Sequence, residues 1–179
     1  MLSSSLRMLA VLSLGFAALV SAGVVTAGDD DVVKSAFILN LAKYVDWPTT
    51  SFAGDDAAFV IGVIEDAGFA SALAGHLEGK RVDGRALEVR TVATIDDARE
   101  CHLLYGPRKQ RQKARQLALD MRGEPVLSVA EYDRFAHVGG MVAVDARRGK
   151  ISFEISRSAA DRGGLKVSSK LLRLASAVR

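Results

Sequence analysis

Strand and helix alternate most clearly in the stretch FVIGVIEDAGFASALAGHLEG, Phe59 to Gly79. Its first six residues, Phe59 to Ile64, are apolar and rich in β-branched side chains, which is typical of a buried strand. The next segment places Phe69, Leu73 and Leu77 four residues apart, so that one face of a short helix is apolar. The stretch therefore predicts a buried strand that leads directly into a helix.

The same alternation continues along the chain. Further strands are predicted at ALEVRTV, CHLLY and PVLSV, residues 86–92, 101–105 and 125–129, with helical segments at 96–99 and 109–121 between them. Regular succession of strands and helices favours a mostly parallel sheet with right-handed crossovers, covered by helices. Two alternating runs, Met141 to Asp145 and Ile151 to Ile155, then predict an antiparallel hairpin, and an amphipathic helix follows from Ser168 to Val178. We therefore expect one three-layer α/β domain that finishes with a hairpin and a helix.

Residues 1–27 are arranged like a secretory signal peptide. Arg7 is their only charged residue, an apolar run follows from Met8 to Val20, and small residues lead to a cleavage site near Gly28. Cleavage there would leave residues 28–179, which is enough for one domain with a core. The alternative is an uncleaved membrane anchor, because about 20 apolar residues can span a bilayer. The layout predicts export to the periplasm.

A second apolar segment, KSAFILNLAKYVDWP, spans Lys34 to Pro48. Its apolar residues cover most of the circumference of a helix, so the helix should be buried. Lys34, Asn40 and Lys43 interrupt the run too often for a membrane span. We predict a core helix that ends at Pro48, because proline lacks an N–H and pushes the preceding residue out of the helical conformation.

The charge and the cysteine content argue against a nucleic-acid-binding protein and against a protein stabilised by disulfides. The chain has a formal net charge of +3, and loss of Arg7 with the leader would lower it by one, so nothing favours a nucleic-acid partner. Cys101 is the single cysteine, which excludes an internal disulfide and leaves stability to packing. Because Cys101 opens a predicted buried strand, we expect an inert packed thiol and no nucleophile.

Signatures of catalysis and metal binding are missing. No GxSxG, HExxH, GxGxxG or SxxK motif occurs, which argues against the common hydrolases, metalloproteases and dinucleotide-binding enzymes. His76, His102 and His137 have no metal-ligand spacing among them. The sequence therefore predicts no catalytic residue, no metal and no cofactor.

The basic run RKQRQKAR spans Arg108 to Arg115. On a helix, its charged side chains would form a solvated face, while Ala114, Leu117 and Ala118 would pack on the sheet. We predict this amphipathic arrangement. The alternative is a site for anionic periplasmic material, such as cell-wall polymer or lipid headgroups.

The strand ISFEIS, Ile151 to Ser156, raises a question of charge compensation. Side chains alternate along a strand, so Glu154 lies on the face opposite the apolar residues. If helices cover both faces, this carboxylate needs a cation, because an unpaired buried charge is strongly unfavourable. Lys43 and Lys170, on the two helices expected at this end of the sheet, are the candidates. We hypothesise that Lys43, Glu154 and Lys170 form a structural polar lock.

Several stretches taken together resemble the YfiR family of small periplasmic regulators. They are SAFILNLAKYVDWP (35–48), GKRVDGRALEVR (79–90), CHLLY (101–105), GEPVLSV (123–129), GGM (139–141), ISFEIS (151–156) and GLKVSSKLLRLA (164–175). These stretches occur in order and cover nearly all of the chain after residue 27. Residues 28–179 are therefore identified as a YfiR-like α/β domain.

The resemblance implies a regulatory function without catalysis. Family members are exported proteins that bind the periplasmic part of an inner-membrane diguanylate cyclase and hold it inactive, which lowers cyclic di-GMP and opposes biofilm formation. The implied partner is such a cyclase or another membrane sensor, and members also form homodimers. Contact through an adaptable surface makes the residues near Gly139, Gly140 and Met141 the candidates for partner binding. The alternatives are a small-molecule or cell-wall binding module and an unrecognised hydrolase.

The chain departs from the family in its cysteines. The best-known members carry paired cysteines whose disulfides respond to redox conditions. Only Cys101 is present here, so the resemblance does not extend to redox control by an internal disulfide.

Overall fold

The structure is a computed structural model that describes residues 27–147 and 149–179. The predicted signal peptide lies outside the described residues, apart from Ala27. The helices are α1 (Ala27–Lys43), α2 (Ala67–Leu77), α3 (Ile95–Arg99), α4 (Arg111–Asp120), α5 (Arg157–Arg162) and α6 (Ser169–Leu174). The strands are β1 (Val45–Asp46), β2 (Phe59–Ile64), β3 (Arg81–Val82), β4 (Arg85–Val92), β5 (Leu103–Gly106), β6 (Leu127–Ala130), β7 (Val142–Arg147), β8 (Lys150–Ile155), β9 (Lys166–Val167) and β10 (Ala177–Val178).

Eight of the strands form one sheet in the order β10-β8-β7-β6-β5-β2-β4-β3. The five strands from β7 to β4 are mutually parallel, whereas β8 runs antiparallel to β7 and β3 runs antiparallel to β4. The parallel strands follow the order of flavodoxin-like doubly wound sheets. The predicted α/β fold, with a mostly parallel sheet and a C-terminal antiparallel hairpin, is confirmed.

Each face of the sheet carries its own hydrophobic core. Along β2, Phe59, Ile61 and Val63 pack with α1 and α2, while Val60 and Ile64 pack with α3 and α4 on the opposite face. This alternation follows from the strand geometry, which sends successive side chains to opposite faces. All six residues of β2 are buried, so the prediction of a strand covered on both faces is confirmed.

The opening helix α1 is buried as predicted, but it ends earlier than predicted. Asn40 and Lys43 lie on its exposed side, which explains how polar residues are tolerated within an apolar helix. The predicted end at Pro48 is wrong, because the helix stops at Lys43 and the chain becomes extended. Val45 then pairs with Val167 in a two-stranded sheet formed by β1 and β9, so a tertiary pairing ends the helix before the proline is reached.

The last helix, α6, is shorter than predicted. Ser168 caps it, since its Oγ accepts a hydrogen bond from the Leu171 backbone N–H at 3.2 Å. After Leu174 the chain turns and adds β10 beside β8. The predicted amphipathic helix from Ser168 to Val178 is therefore wrong in part: Leu171 is buried, but Leu174 is 65% exposed and Val178 is 47% exposed.

Candidate functional site

The carboxyl ends of the parallel strands meet at one edge of the sheet, which we call the carboxyl edge. From β2 the chain moves to β4 on one side, and it later continues at β5 on the other side. Such a switch point opens a crevice outside the carboxyl ends of the strands, where ligands of doubly wound folds bind. Charged residues follow β2, β5 and β6 directly or closely at this edge, namely Glu65, Arg108 and Glu131.

A buried carboxylate, Glu131, organises the carboxyl edge. Its side chain is 5% exposed, and its Oε1 accepts a 2.6 Å hydrogen bond from the Tyr105 hydroxyl. The ammonium of Lys34 lies 3.0 Å from the same oxygen, and the Arg108 Nε lies 3.9 Å from Oε2. Removal from water disfavours a charge unless cations and hydrogen bonds compensate it, and here both are present. We call Lys34, Tyr105, Arg108 and Glu131 the Glu131 cluster.

The hydroxyl of Tyr105 acts in this cluster as a hydrogen-bond donor. Burial raises the pKa of Tyr105, and the charge and hydrogen bond of Glu131 raise it further. The phenol therefore stays protonated across the physiological pH range. Because Lys34 belongs to α1, Tyr105 to β5 and Glu131 to the loop after β6, the cluster ties three separate parts of the chain together.

The same network reaches the hairpin of β7 and β8. The Arg108 guanidinium lies 3.2 Å from Asp145 Oδ1, and the Gly149 backbone N–H donates to Asp30 Oδ1 at 2.9 Å. The side chains of Arg108 and Asp145 are 46% and 42% exposed, and solvent-screened ion pairs of this kind add little stability. This outer part of the network mainly sets the position of the hairpin against the start of α1.

A wide groove lies beside the carboxyl edge, between α4 and the loop that follows β6. It encloses about 1350 Å³. Its charged lining consists of Lys109, Arg111, Lys113, Arg115 and Arg134, and its other lining residues are Gln110, Gln112, Gln116, Tyr132 and Val138. None of these ten lining residues is acidic. We call this feature the basic groove.

Close packing of α4 on the sheet orients the groove. Ala114, Leu117 and Ala118 are buried against it. A Cβ added at Gly106, in β5, would lie 2.5 Å from the Ala114 Cβ, so glycine is what lets the helix approach this closely. The predicted amphipathic arrangement is confirmed, and the outward face of α4 carries the basic side chains.

At the opposite edge of the sheet, His102 is enclosed by aromatic rings. The imidazole stacks on Phe52 at 4.4 Å and on Phe59 at 5.0 Å between ring centroids. Its Nδ1 accepts a 3.0 Å hydrogen bond from the Val60 N–H, so Nε2 carries the proton and donates to the Ser51 carbonyl at 3.1 Å. Burial lowers the pKa of His102, and the ring is therefore neutral at pH 7.

Trp47 explains part of the Asp-Trp-Pro sequence after the opening helix. Its indole N–H donates to the His102 carbonyl at 3.0 Å, and its ring meets Phe59 edge to face at 4.8 Å. A cavity of about 270 Å³ lies beside these rings and extends to Arg85, whose guanidinium covers Phe52 at 3.9 Å. This edge is an aromatic anchor for the chain after α1.

The structure places the predicted partner-binding residues, Gly139 to Met141, mostly inside the protein. Met141 is 5% exposed and belongs to a hydrophobic core. A Cβ at Gly140 would lie 2.2 Å from the Phe135 ring, while Gly139 is partly exposed with a φ of +112°. The interpretation of Met141 as a contact residue is therefore not supported, because a partner cannot reach a side chain that the core surrounds.

The predicted pairing of Glu154 with a lysine is not formed within the described residues. The Glu154 carboxylate instead lies 3.3 Å from His137 Nε2 and 3.4 Å from Arg179 Nε. Its side chain is partly exposed. The helix α1 covers the face of β8 on which Phe37 packs on Phe153, and Glu154 lies on the opposite face. The premise that helices cover both faces fails at β8, the second strand from one end of the sheet.

The two predicted lysine partners have other surroundings. The Lys170 ammonium donates to the Tyr44 hydroxyl at 2.9 Å and lies 4.8 Å from the centre of that ring. Lys43 is exposed on α1. The structure thus links the last helix to the end of α1 through Lys170 and Tyr44, and it does not bring Lys43, Glu154 and Lys170 together.

Cys101 is a buried thiol, as the sequence predicts. It is 4% exposed, and its Sγ donates to the Asp97 carbonyl at 3.3 Å. Burial raises the pKa of the Cys101 thiol to about 12. A thiol that stays protonated is a poor nucleophile.

The Glu131 cluster and the groove shape were missed at the level of sequence. One signal was present: Glu131 follows closely after the predicted strand PVLSV, and parallel strands deliver such residues to one edge. Its partners Lys34 and Tyr105 are distant in sequence, so the pairing itself required the fold.

No helix among the described residues combines the length and the apolarity needed to cross a membrane, and these residues contain no group of three or more His, Cys, Asp or Glu side chains that could hold a metal ion.

A family model described as YfiR/HmsC-like matches residues 31–176. The match spans both edges of the sheet, the Glu131 cluster and the basic groove. The chain therefore belongs to the YfiR/HmsC-like family.

Proposed function

We propose that this protein is a periplasmic regulator that binds and represses the periplasmic part of an inner-membrane signalling protein, a diguanylate cyclase. The observation that carries the proposal is the family match over residues 31–176. The leader-like layout of residues 1–27 supports export. Repression of the cyclase would lower cyclic di-GMP and oppose biofilm formation.

The mode of action is contact through a preformed surface. The Glu131 cluster joins α1, β5 and the loop after β6, and the hairpin is held to the start of α1 through Asp30. A surface supported in this way loses little conformational freedom on binding, and pre-organisation of this kind improves affinity. The regulator needs this frame and an exposed patch.

The exposed patch lies beside Gly139. Arg134 and His137 are exposed on the loop that leads to it, whereas Gly140 and Met141 are buried. We therefore propose Arg134 and His137 as contact residues in place of Met141. Cys101 is free and buried, so the regulation proposed here does not depend on an internal disulfide.

The test has a genetic part. Deletion of the gene should raise cyclic di-GMP, measured by mass spectrometry of cell extracts, and re-expression of the full chain should restore the original level. Unchanged cyclic di-GMP in the deletion strain would contradict repression of a cyclase.

The second part identifies the partner. A photoreactive amino acid at position 134 should form a covalent adduct with the cyclase in living cells. The same amino acid at position 80, which is exposed beside β3 at the far end of the sheet, serves as the control and should not form the adduct. Equal adducts from both positions would argue against contact at this loop.

A further inference from the structure

We infer that the basic groove binds an acidic, extended segment of the protein partner. The inference rests on the proposed function, because it names the chemistry of the partner at one surface. Two separate parts of the chain supply the cations of the groove: residues 109–115 and Arg134. A concave surface of one sign of charge attracts ligands of the opposite sign.

The cations of the groove are mostly unpaired. Among the described residues, no carboxylate lies within 4.0 Å of Lys109, Arg111, Arg115 or Arg134, and only Lys113 has one, Glu65 at 3.5 Å. The whole chain has a net charge of only +3. Five of the chain's 24 Lys and Arg residues line this groove, and the other 19 nearly balance the 21 Asp and Glu residues of the chain.

This arrangement is unfavourable for the helix itself. The first turn of α4 contains no acidic residue, and the basic run lies at the helix end where the macrodipole disfavours cations. Arg111 and Arg115 are also four residues apart, so their like charges repel on one face. Both side chains are exposed, and neither contributes to a core. Basic side chains in the first turn of α4 lower the stability of the helix, and their presence there is explained if an anionic ligand compensates their charges.

The shape and lining of the groove favour a peptide chain. α4 has ten residues and is about 15 Å long, which matches roughly four or five residues of an extended chain. Three glutamine amides line it. Gln110 and Gln116 each donate one N–H elsewhere, to the Glu65 carbonyl and the Asp120 carboxylate, and each amide keeps a second N–H and an oxygen for a peptide backbone. Tyr132 and Val138 add an apolar wall. An acidic segment would therefore find charge, backbone and apolar contacts together.

A lipid surface fits less well. The large exposed apolar side chains of the described residues are Val32, Leu174 and Val178, and none of them lines the groove. Proteins that lie on a membrane insert such side chains beside their basic residues. The groove has the cations without the apolar residues that would enter the bilayer.

The positive surface continues past the groove. A neighbouring depression of about 620 Å³ shares Val138 with it and includes the cations Arg122 and Arg162. It reaches Gly139, beside which partner contact is proposed above. A segment that leaves the groove would therefore pass along the same loop.

The binding experiment compares two charge-matched double variants. Arg111→Gln/Arg115→Gln removes two cations from the groove, and Lys80→Gln/Arg173→Gln removes two exposed cations from elsewhere. The proteins are purified from cells that express the full chain, and binding of a fluorescein-labelled oligoglutamate peptide is followed by anisotropy. We expect about tenfold weaker binding for the groove variant and less than about twofold for the control. Added salt should weaken binding of the parent protein.

Further arms separate the outcomes. Equal loss of peptide binding in both variants, or none in either, would overturn the inference. So would groove-dependent binding to vesicles of phosphatidylglycerol and phosphatidylcholine without binding to oligoglutamate, since it would identify a lipid surface. In cells, a groove variant that still represses cyclic di-GMP and forms the normal adduct would overturn the groove as the contact while leaving the proposed function intact. An unchanged level in the deletion strain removes the proposed function, and the peptide and vesicle arms then decide on the groove alone.

Discussion

Removing one hydroxyl group should unbalance the Glu131 cluster. Tyr105 is 1% exposed, so a Tyr105→Phe side chain fills the same space and leaves no large cavity. The substitution deletes the 2.6 Å hydrogen bond to the Glu131 carboxylate. Hydrogen bonds to charged groups contribute about 1.5–3 kcal/mol, and a buried acceptor left without its donor keeps its desolvation penalty. We expect the free energy of unfolding to fall by about 2 kcal/mol.

Urea unfolding followed by circular dichroism measures this change. The midpoint should fall while the denaturant slope stays constant, because the fold and the surface exposed on unfolding are unaltered. In a thermal scan, the loss corresponds to a decrease of about 4–8 °C in Tm for a protein of this size. Tyr132→Phe is the matched control: Tyr132 is only partly buried and should change stability by less than about 0.5 kcal/mol.

Equal effects of the two substitutions would refute the reasoning. Such a result would mean that the Tyr105 hydroxyl does not stabilise Glu131 and that the cations Lys34 and Arg108 compensate the carboxylate without it. A double-mutant cycle with Glu131→Gln isolates the interaction. We expect the cost of Tyr105→Phe to become smaller when residue 131 is already neutral.

Three further outcomes follow from burial. A Met141→Glu variant should lose more than about 3 kcal/mol of stability, seen in urea unfolding, because it puts a carboxylate into the core; a native urea midpoint would show that residue 141 reaches solvent. Cys101, with its thiol pKa near 12, should react with iodoacetamide at neutral pH only after denaturation, and fast labelling of the native protein would contradict its burial. The lowered pKa of His102 means that the unfolded state takes up its proton first as the pH falls, so its contribution to stability is present above about pH 6.5 and is lost below it. His102→Gln should show a smaller loss of stability between pH 7.5 and 5.5 than the parent, and equal losses would show that His102 does not cause it.

The central fold was predictable because its signals are local. The apolar run of β2 and the four-residue spacing in α2 each specify one element without reference to the rest of the chain. Short elements lack such signals. β1 and β9 have two residues each and exist because they pair with one another, and that pairing ended α1 at Lys43 where local rules predicted Pro48. β10 shortened the last helix in the same way.

The Glu131 cluster was less predictable, because its residues are distant in sequence and become neighbours only through the order of the strands in the sheet. Lys34, Tyr105 and Glu131 are brought together by a helix packed on β5 and β6, which are neighbours in the sheet. The error at Glu154 has a related cause. The prediction assumed that helices cover both faces of β8, but β8 lies near one end of the sheet, where its outer face stays partly open and its carboxylate is paired by His137 and Arg179.

The basic run shows how one continuous segment acquires two roles. Arg108 turns toward the carboxyl edge, where Glu131 and Asp145 neutralise it. The groove-lining cations from Lys109 onward lie in a short 3-10 turn (Arg108–Gln110) and on α4. Apart from Lys113, they have no such partner among the described residues. A substitution at Arg108 would therefore disturb the Glu131 cluster and the groove potential together, whereas Arg111 and Arg115 report on the groove alone. The sequence presents one run of eight residues that contains five cations, and the strand that precedes the run decides which charge is structural and which is left for a partner.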